Sequence, residues 1–371
     1  MDQACRINVL RKCADSETEK CECHLRLTSH EGKEFDMEDT AVVTQKSGVT
    51  GMKLKIIALT AMFIDHFAAV LLENYLNWVI PSFYDEESQR VWMQENQYVT
   101  YLWVLYYVMR LIGRFGFPLF AFLIVEGFQH THSVKKYAIN LGVFAIISEL
   151  PFNLGFSGKL LNSSYQNVYF TLFLGLMSLV GIYYFEEIKK NSEKLKPLFY
   201  LAALAAGPFI VFVVLRDFEI VRESFPIEGT SFYVVLVAAG AVTFLLFSLL
   251  GIKWDMARKN LFTGVILSSA ICGFAADFLK TDYGAGGVLT IVILYLLRKK
   301  KKLAFSMACV ELTLLSVAEF TTFFMLIPIG KYNGKRGMKL NKYVYYAFYP
   351  VHLGLLYLVT YLLGYTGFAV K

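Results

Sequence analysis

Arg110-Leu-Ile-Gly-Arg-Phe-Gly-Phe-Pro-Leu-Phe-Ala-Phe-Leu-Ile-Val-Glu-Gly-Phe-Gln-His-Thr-His132 is apolar enough to lie in a membrane, yet it carries two arginines, a glutamate and two histidines. A charged residue at the bilayer centre costs roughly 2.5–3.5 kcal/mol on insertion scales. A simple anchor would not bear that cost several times. The stretch therefore reads as a helix that lines a pore or site, and the other apolar segments read as the wall that shields it.

Composition supports that wall. Of 371 residues, 56% are hydrophobic and only 18% are charged, against about 25% charged in soluble domains. Several apolar runs reach about 20 residues, the length that crosses a ~30 Å hydrocarbon core. They are unbroken rather than alternating, which excludes a membrane β-barrel. The fold expected is an all-α polytopic transmembrane bundle with about ten spans: 54–72, 99–129, 136–156, 167–185, 197–215, 231–251, 261–279, 284–298, 303–329 and 343–366. The net charge of +6 gathers in loops beside these spans. That placement suits membrane topology, not nucleic-acid binding, so the partner expected is the lipid bilayer.

Residues 1–51 are polar and have no apolar run, as in a disordered tail. The alternative is that translation begins at Met52, where the membrane pattern starts. No signal peptide is recognisable. Cys5, Cys13, Cys21 and Cys23 of the tail match no standard zinc spacing, and Cys272 and Cys309 read as small buried hydrophobes. No metal site is expected.

Loops beginning at His130, at 186, at 252 and at Arg298 are basic, whereas 73–98 and 216–230 are acidic. The lysine and arginine bias puts both termini in the cytoplasm of a cell-membrane protein. One loop conflicts: Lys331–Lys342 holds five basic residues but falls on the outer side of a ten-span count. Either a span is miscounted or these charges serve a ligand.

Candidate site residues are those polar groups that a lipid wall cannot explain. Asp65 and His66 are neighbours on one helix, about 100° apart, so each needs its own partner. A buried hydrogen bond that fixes packing is the plain account of His66; among other polar groups, a histidine that titrates near neutrality suits a general base. Arg110 and Arg114 share a helix face. Their guanidinium forks suit phosphate or carboxylate, with an ion pair to Asp65 or Glu149 as the plain alternative. Glu126 has His130 one turn on as its expected neighbour. Glu149 precedes Pro151, Asp282 and Tyr283 sit beside a glycine in a turn-like cluster, and His352 follows Pro350 in the last span. Glu311 and Glu319 suggest only packing polarity. At ~1.5 Å per residue, His66, Arg114 and Glu149 lie ~18–22 Å from the same membrane face, with His352 near mid-membrane. A shared buried site predicts that coincidence.

At these residues the chain resembles the TraX family of integral membrane proteins. The likeness rests on Leu54-Lys55-Ile56 leading to Ile64-Asp65-His66, on Ile112-Gly113-Arg114, Phe117-Pro118-Leu119-Phe120 and Val125-Glu126-Gly127-Phe128. It continues through Ser148-Glu149-Leu150-Pro151, Asn167-Val168, Asp282-Tyr283-Gly284, Asn333-Gly334-Lys335-Arg336 and Tyr349-Pro350-Val351-His352. It covers residues 52–366 in the family's order and is weakest over 197–260. The family is linked to N-terminal acetylation of a conjugative pilin and is similar to membrane acyltransferases. The resemblance implies an acetyl-CoA-dependent acyltransferase acting on a protein N-terminus or other membrane-proximal acceptor. Together with the shared depth of these groups, it implies His66 as general base, oriented by Glu149 or Asp65, with His352 in the same catalytic set. Substrate contacts are implied for Arg110, Arg114, Glu126, His130, Asp282, Tyr283, Asn333, Lys335 and Arg336, with acetyl-CoA as donor and no metal. The rival expectation is a transporter or proton-coupled channel, because intramembrane Asp, Glu and His also build proton relays.

Overall fold

A computed structural model describes residues 27–28, 34–35, 48–82, 85–224, 226–227, 229–338 and 341–365. The chain divides into two units, Met1–Gly48 and Val49–Lys371. In the first, β1 (Leu27–Thr28) pairs antiparallel with β2 (Glu34–Phe35). The four tail cysteines lie outside the described residues.

The second unit is helical. α1 (Gly51–His66) continues through a π-helical turn, Phe67–Leu72, into α2 (Glu73–Val79). Thr50 Oγ1 caps α1 by accepting from Lys53 N at 3.3 Å. α3 (Glu86–Glu95) buries no side chain, as expected of a segment lying at the interface. α4 (Gln97–Gly113) and α5 (Gly116–His130) follow. The break between them falls at Arg114 and Phe115, just ahead of Pro118, whose ring cannot continue a preceding helix. α6 (Val134–Ser157), α7 (Val168–Tyr183), α8 (Lys196–Arg216), α9 (Glu219–Ser224), α10 (Gly229–Ile252) and α11 (Met256–Phe278) come next. The chain ends with α12 (Gly284–Leu296), α13 (Lys301–Leu315), a 3-10 segment Val317–Met325, α14 (Leu326–Gly330) and α15 (Lys342–Leu362).

Among the described residues, seven helical stretches are long and apolar enough to cross a membrane, the last ending at Phe278. They correspond to the first seven expected spans; the expected total of ten is not reached by that measure. α1, α5, α6, α7, α12, α13 and α15 share the main core, which includes Leu54, Leu119, Leu141, Leu176, Ile291 and Phe305. α10 packs on α8 at the edge, where Gly207 lets the two backbones approach: a Cβ there would run into the carbonyl of Ala239. The outward faces stay apolar, as with Leu249 at 67% and Phe278 at 86% exposure, which suits a lipid-facing wall.

The expected ninth span, 303–329, is a correction. The chain reverses at Ser316, so α13 and Val317–Gly330 run antiparallel. At the reversal Val317 N donates to Glu219 Oε2 at 3.1 Å, and at the other end Gly330 lies against the Lys302 side chain. Neither half is a long apolar helix, so hydropathy merges them. The reversal returns Lys331–Lys342 to the end where α1 begins. Val49 N donates to Lys331 O at 2.9 Å, Gly51 N to Lys335 O at 2.8 Å and Met52 N to Arg336 O at 2.9 Å. The other basic loops join the same end: Arg298 pairs with Glu186 at 2.8 Å, and Asn260 Nδ2 donates to Lys189 O at 2.7 Å. The loop that seemed to break charge asymmetry obeys it.

α15 then runs to the opposite end, where Tyr365 packs on Tyr75 and Trp78 with ring centroids 5.3 and 5.1 Å apart. Val49 and Tyr365 thus lie at opposite ends of the bundle. The reversal at Ser316 adds one pass between them; the termini themselves, expected on one side, lie outside the described residues.

Val49–Gly51 are integral to this unit. A chain shortened to start at Met52 should be less stable than one shortened to start at Gly48. The Thr50 cap contributes about 1 kcal/mol, and each backbone bond to the 331–336 loop a further ~0.5–1.5 kcal/mol. Thermal melting of the two purified chains checks this; equal melting temperatures would refute it.

Candidate functional site

The polar residues gather at one level. The 13 residues of α12 cover only ~20 Å at 1.5 Å per residue, so α12 starts inside a ~30 Å apolar slab. The turn before it, with Tyr283 at φ +67° and Gly284 at φ +48°, sets Asp282 and Tyr283 within the bundle. Gln166 pairs with Thr281 there, so α7 and α12 begin side by side.

Arg110 Nη1 donates to Asp65 Oδ2 at 2.6 Å. Gly113 permits this, since a Cβ at that position would run into the Asp65 carboxylate. One turn on from Arg110, Arg114 Nη1 donates to Glu319 Oε1 at 3.2 Å, and Tyr283 OH donates to the same oxygen at 3.0 Å. Tyr283 stacks on Phe117 at 3.9 Å. The Asp282 carboxylate accepts from Tyr165 OH and its main-chain carbonyl from Thr171 Oγ1. Asp282 is within electrostatic reach of Arg110, Arg114 and Asp65. The expected residues Asp65, Arg110, Arg114, Asp282 and Tyr283 therefore share one cluster, completed by Glu319 and Tyr165.

Beside it, His66 and His352 meet. Their ring planes are 7° from parallel and their centroids 4.9 Å apart, with Nδ1 of His66 2.7 Å from Nε2 of His352. His352 Nδ1 is 2.6 Å from Phe348 O. The rings of Phe156 and Tyr349 stand edge-on to His66 at 5.5 and 5.4 Å. A six-residue π turn starts directly after His66, a feature frequent at functional sites. In α15, Pro350 removes the amide that would bond the Tyr346 carbonyl; Tyr169 OH donates to that oxygen instead, at 3.2 Å.

Two expected pairings are corrected. Asp65 does not orient His66, because its carboxylate is engaged by Arg110. Glu149 touches neither His66 nor an arginine. The start of α7 comes between: Asn167 Nδ2 donates to Glu149 Oε2 at 2.6 Å and to Ala145 O at 2.9 Å, while Asn167 Oδ1 caps α7. His66, Arg114 and Glu149 thus occupy adjacent compartments at one depth instead of a single chamber. Tyr349 lies among them, against His66 and within electrostatic reach of Asp282 and Glu149.

A cavity of about 530 Å³ opens at the basic end, with Lys55, Glu126, His130, Arg336, Lys342 and Tyr345 in its lining. Glu126 is not held by the His130 ring. Its carboxylate accepts from Lys301 Nζ at 3.0 Å and Tyr332 OH at 2.9 Å, whereas the His130 ring bonds the main-chain carbonyl of Glu126. Burial and that carboxylate push the Tyr332 hydroxyl above the usual phenol range. Arg336 lines the cavity; Asn333 and Lys335 stand outside its lining, where Asn333 Oδ1 accepts from Lys335 N at 3.0 Å. The inner wall includes Tyr169, whose ring is 5.1 Å from Tyr349. One aromatic layer therefore separates this cavity from His66.

Sequence reasoning missed Tyr165, Lys301 and Lys342, quoted Lys55 and Asn167 only within family motifs, and gave Glu319 no role beyond packing polarity. Glu319 had a usable signal, an acid in an apolar run; the others read as ordinary loop or end residues. Among the described residues no group of three or more His, Cys, Asp or Glu is placed to hold a metal ion.

A probable fimbrial assembly protein FimC, serogroup H1, of Dichelobacter nodosus is 28% identical over 138 residues, 35% of this chain and 46% of that protein. The match thus spans about half the length of that curated relative. No solved structure matches the chain. The family model described as TraX protein matches residues 50–224 and 184–360, and so takes in α1 to α15 with both polar clusters and the cavity. This multi-pass membrane protein belongs to the TraX family.

Proposed function

We propose that the protein is a membrane acyltransferase that moves an acetyl group from acetyl-CoA to a protein N-terminus or another acceptor at the membrane. The observation that carries this reading is the cavity: a cationic mouth formed by Lys55, Arg336 and Lys342, leading to tyrosines one ring from His66. Its volume suits a cofactor-sized ligand. Its cations suit the phosphates of coenzyme A, and its apolar inner wall suits the pantetheine arm. The lysine and arginine bias of this end favours a cytoplasmic side, where acetyl-CoA is available. His66 then acts as general base toward the acceptor. Arg110, held by Asp65 and within electrostatic reach of His66, is the group assigned to stabilise negative charge developing on the acyl oxygen. The fimbrial name of the relative makes a pilus subunit the first acceptor to assay.

The direct test is acetyl transfer from radiolabelled acetyl-CoA by purified protein in lipid nanodiscs. Arg336→Glu should weaken acetyl-CoA binding about tenfold, equivalent to ~1.4 kcal/mol, as read from the ligand-induced melting shift. If acetyl-CoA shifts neither the wild type nor the variant, the cavity is not a donor site. One feature favours a second reading, transport. α7 and α12 both start inside the bundle, as discontinuous helices do at transporter sites. Substrate flux into liposomes without acyl transfer would select it.

A further inference from the structure

We infer that His352 is a positioning residue that, together with the carbonyl of Phe348, fixes His66 in the tautomer whose Nε2 accepts the proton. This inference rests on the acyltransferase reading, but its geometry stands apart from the identity of the donor.

The argument is a chain of donors and acceptors. A carbonyl oxygen only accepts, so the 2.6 Å contact between His352 Nδ1 and Phe348 O requires a proton on Nδ1. A neutral imidazole carries one proton, so His352 Nε2 is then an acceptor. The 2.7 Å contact from that nitrogen to His66 Nδ1 requires the second proton to sit on His66. His66, also neutral, is left with its lone pair on Nε2, for which the described residues supply no hydrogen-bond partner. Reversing the order would protonate both nitrogens of His352. That would place an uncompensated cation in a buried site, His352 being 5% exposed. The ring planes are 7° from parallel, and with the nitrogens 2.7 Å and the centroids 4.9 Å apart the N–H···N contact runs close to both ring planes.

The fold holds this order in place. His352 lies one turn from Phe348 on α15, and Pro350 between them belongs to the same helix. Tyr349 and Phe156 flank His66 edge-on and limit its rotation. In the reaction, the acceptor's nitrogen or oxygen bonds to the acyl carbon and its proton passes to His66 Nε2. The tetrahedral intermediate then breaks its carbon–sulfur bond, and the departing thiolate takes the proton from Nε2 to give the free thiol. His352 touches neither reactant.

The test compares His352→Gln, whose amide can still accept from His66 Nδ1, with His352→Leu, which cannot. In nanodisc protein labelled with 15N-histidine, the wild type and His352→Gln should show His66 protonated at Nδ1, and His352→Leu should show a mixture of tautomers. In turnover, His352→Leu should lose at least about tenfold in kcat with KM for acetyl-CoA unchanged, and the Gln variant should recover most of that loss. Melting temperatures of both variants identify any general loss of fold. Wild-type His66 protonated at Nε2 would overturn the inference, as would a Leu variant that is folded with full kcat or a Gln variant no better than Leu. Absence of acetyl transfer by the wild type would instead overturn the acyltransferase reading, while the NMR result still decides the tautomer.

Discussion

His66→Ala should lower kcat for acetyl transfer by about 10²- to 10⁴-fold, the range a positioned general base contributes. At 1.36 kcal/mol per tenfold, that is a loss of roughly 3–5 kcal/mol in transition-state stabilisation. Binding of acetyl-CoA should be little changed, because the cavity that would hold it contacts Tyr169 and Tyr346 rather than His66. The expected signature is therefore a fall in kcat without a matching rise in KM, the pattern of an interaction made in the transition state. Stability should fall only modestly. The hydrogen bond to His352 is between neutral rings, and interhelical bonds of that kind average about 0.6 kcal/mol in membranes. Steady-state kinetics with a melting curve for the same sample separates the two effects. Full activity of His66→Ala would remove the general base from the mechanism; a collapse in melting temperature with intact specific activity would assign His66 to packing.

The level of the polar belt was legible in the sequence, whereas its pairings were not. Counting residues from the basic loops sets His66, Arg114 and Glu149 at one depth, and helix rise is nearly invariant, so the count transfers directly to three dimensions. Which groups face each other depends on helix order around the bundle, which one sequence does not encode locally. Hence Asp65 was separable from His66 by their 100° offset, yet its partner Arg110 could be proposed only alongside Glu149. The first seven apolar stretches emerge from length alone. Beyond Phe278 the rule weakens because α12 is short and Val317–Met325 is a tighter helix that follows a reversal at Ser316. Hydropathy averages across such a reversal, since both arms are apolar. The basic loop Lys331–Lys342 held the missing information: its charge conflicted with a ten-span count, and the added pass removes the conflict.

Glu319→Ala should destabilise the protein by about 3–5 kcal/mol, the cost of leaving one member of a buried ion pair uncompensated. Two magnitudes compete. If Glu319 contributed only a neutral interhelical hydrogen bond, its loss would cost about 0.6 kcal/mol and at most ~1.7. The structure favours the larger figure, because Glu319 is 1% exposed and its Oε1 accepts from both Arg114 and Tyr283. Removing it strands a guanidinium whose Nε already has no partner and leaves the Tyr283 hydroxyl without an acceptor. It also removes one tie between the 3-10 segment and the break between α4 and α5, leaving the Thr321 hydroxyl bond to Leu111 O. Arg114→Met combined with Glu319→Leu should recover most of the loss, since replacing a whole buried pair by apolar groups is often neutral. Denaturant unfolding in detergent of the wild type, Arg114→Met, Glu319→Leu and the double variant closes the cycle, and a coupling energy of about 3 kcal/mol or more is expected. Single variants within about 0.5 kcal/mol of wild type would mean that this pair is wet. Such a result would move Arg114 from the scaffold to the ligand, because a solvated guanidinium at mid-membrane depth requires an aqueous path to reach it.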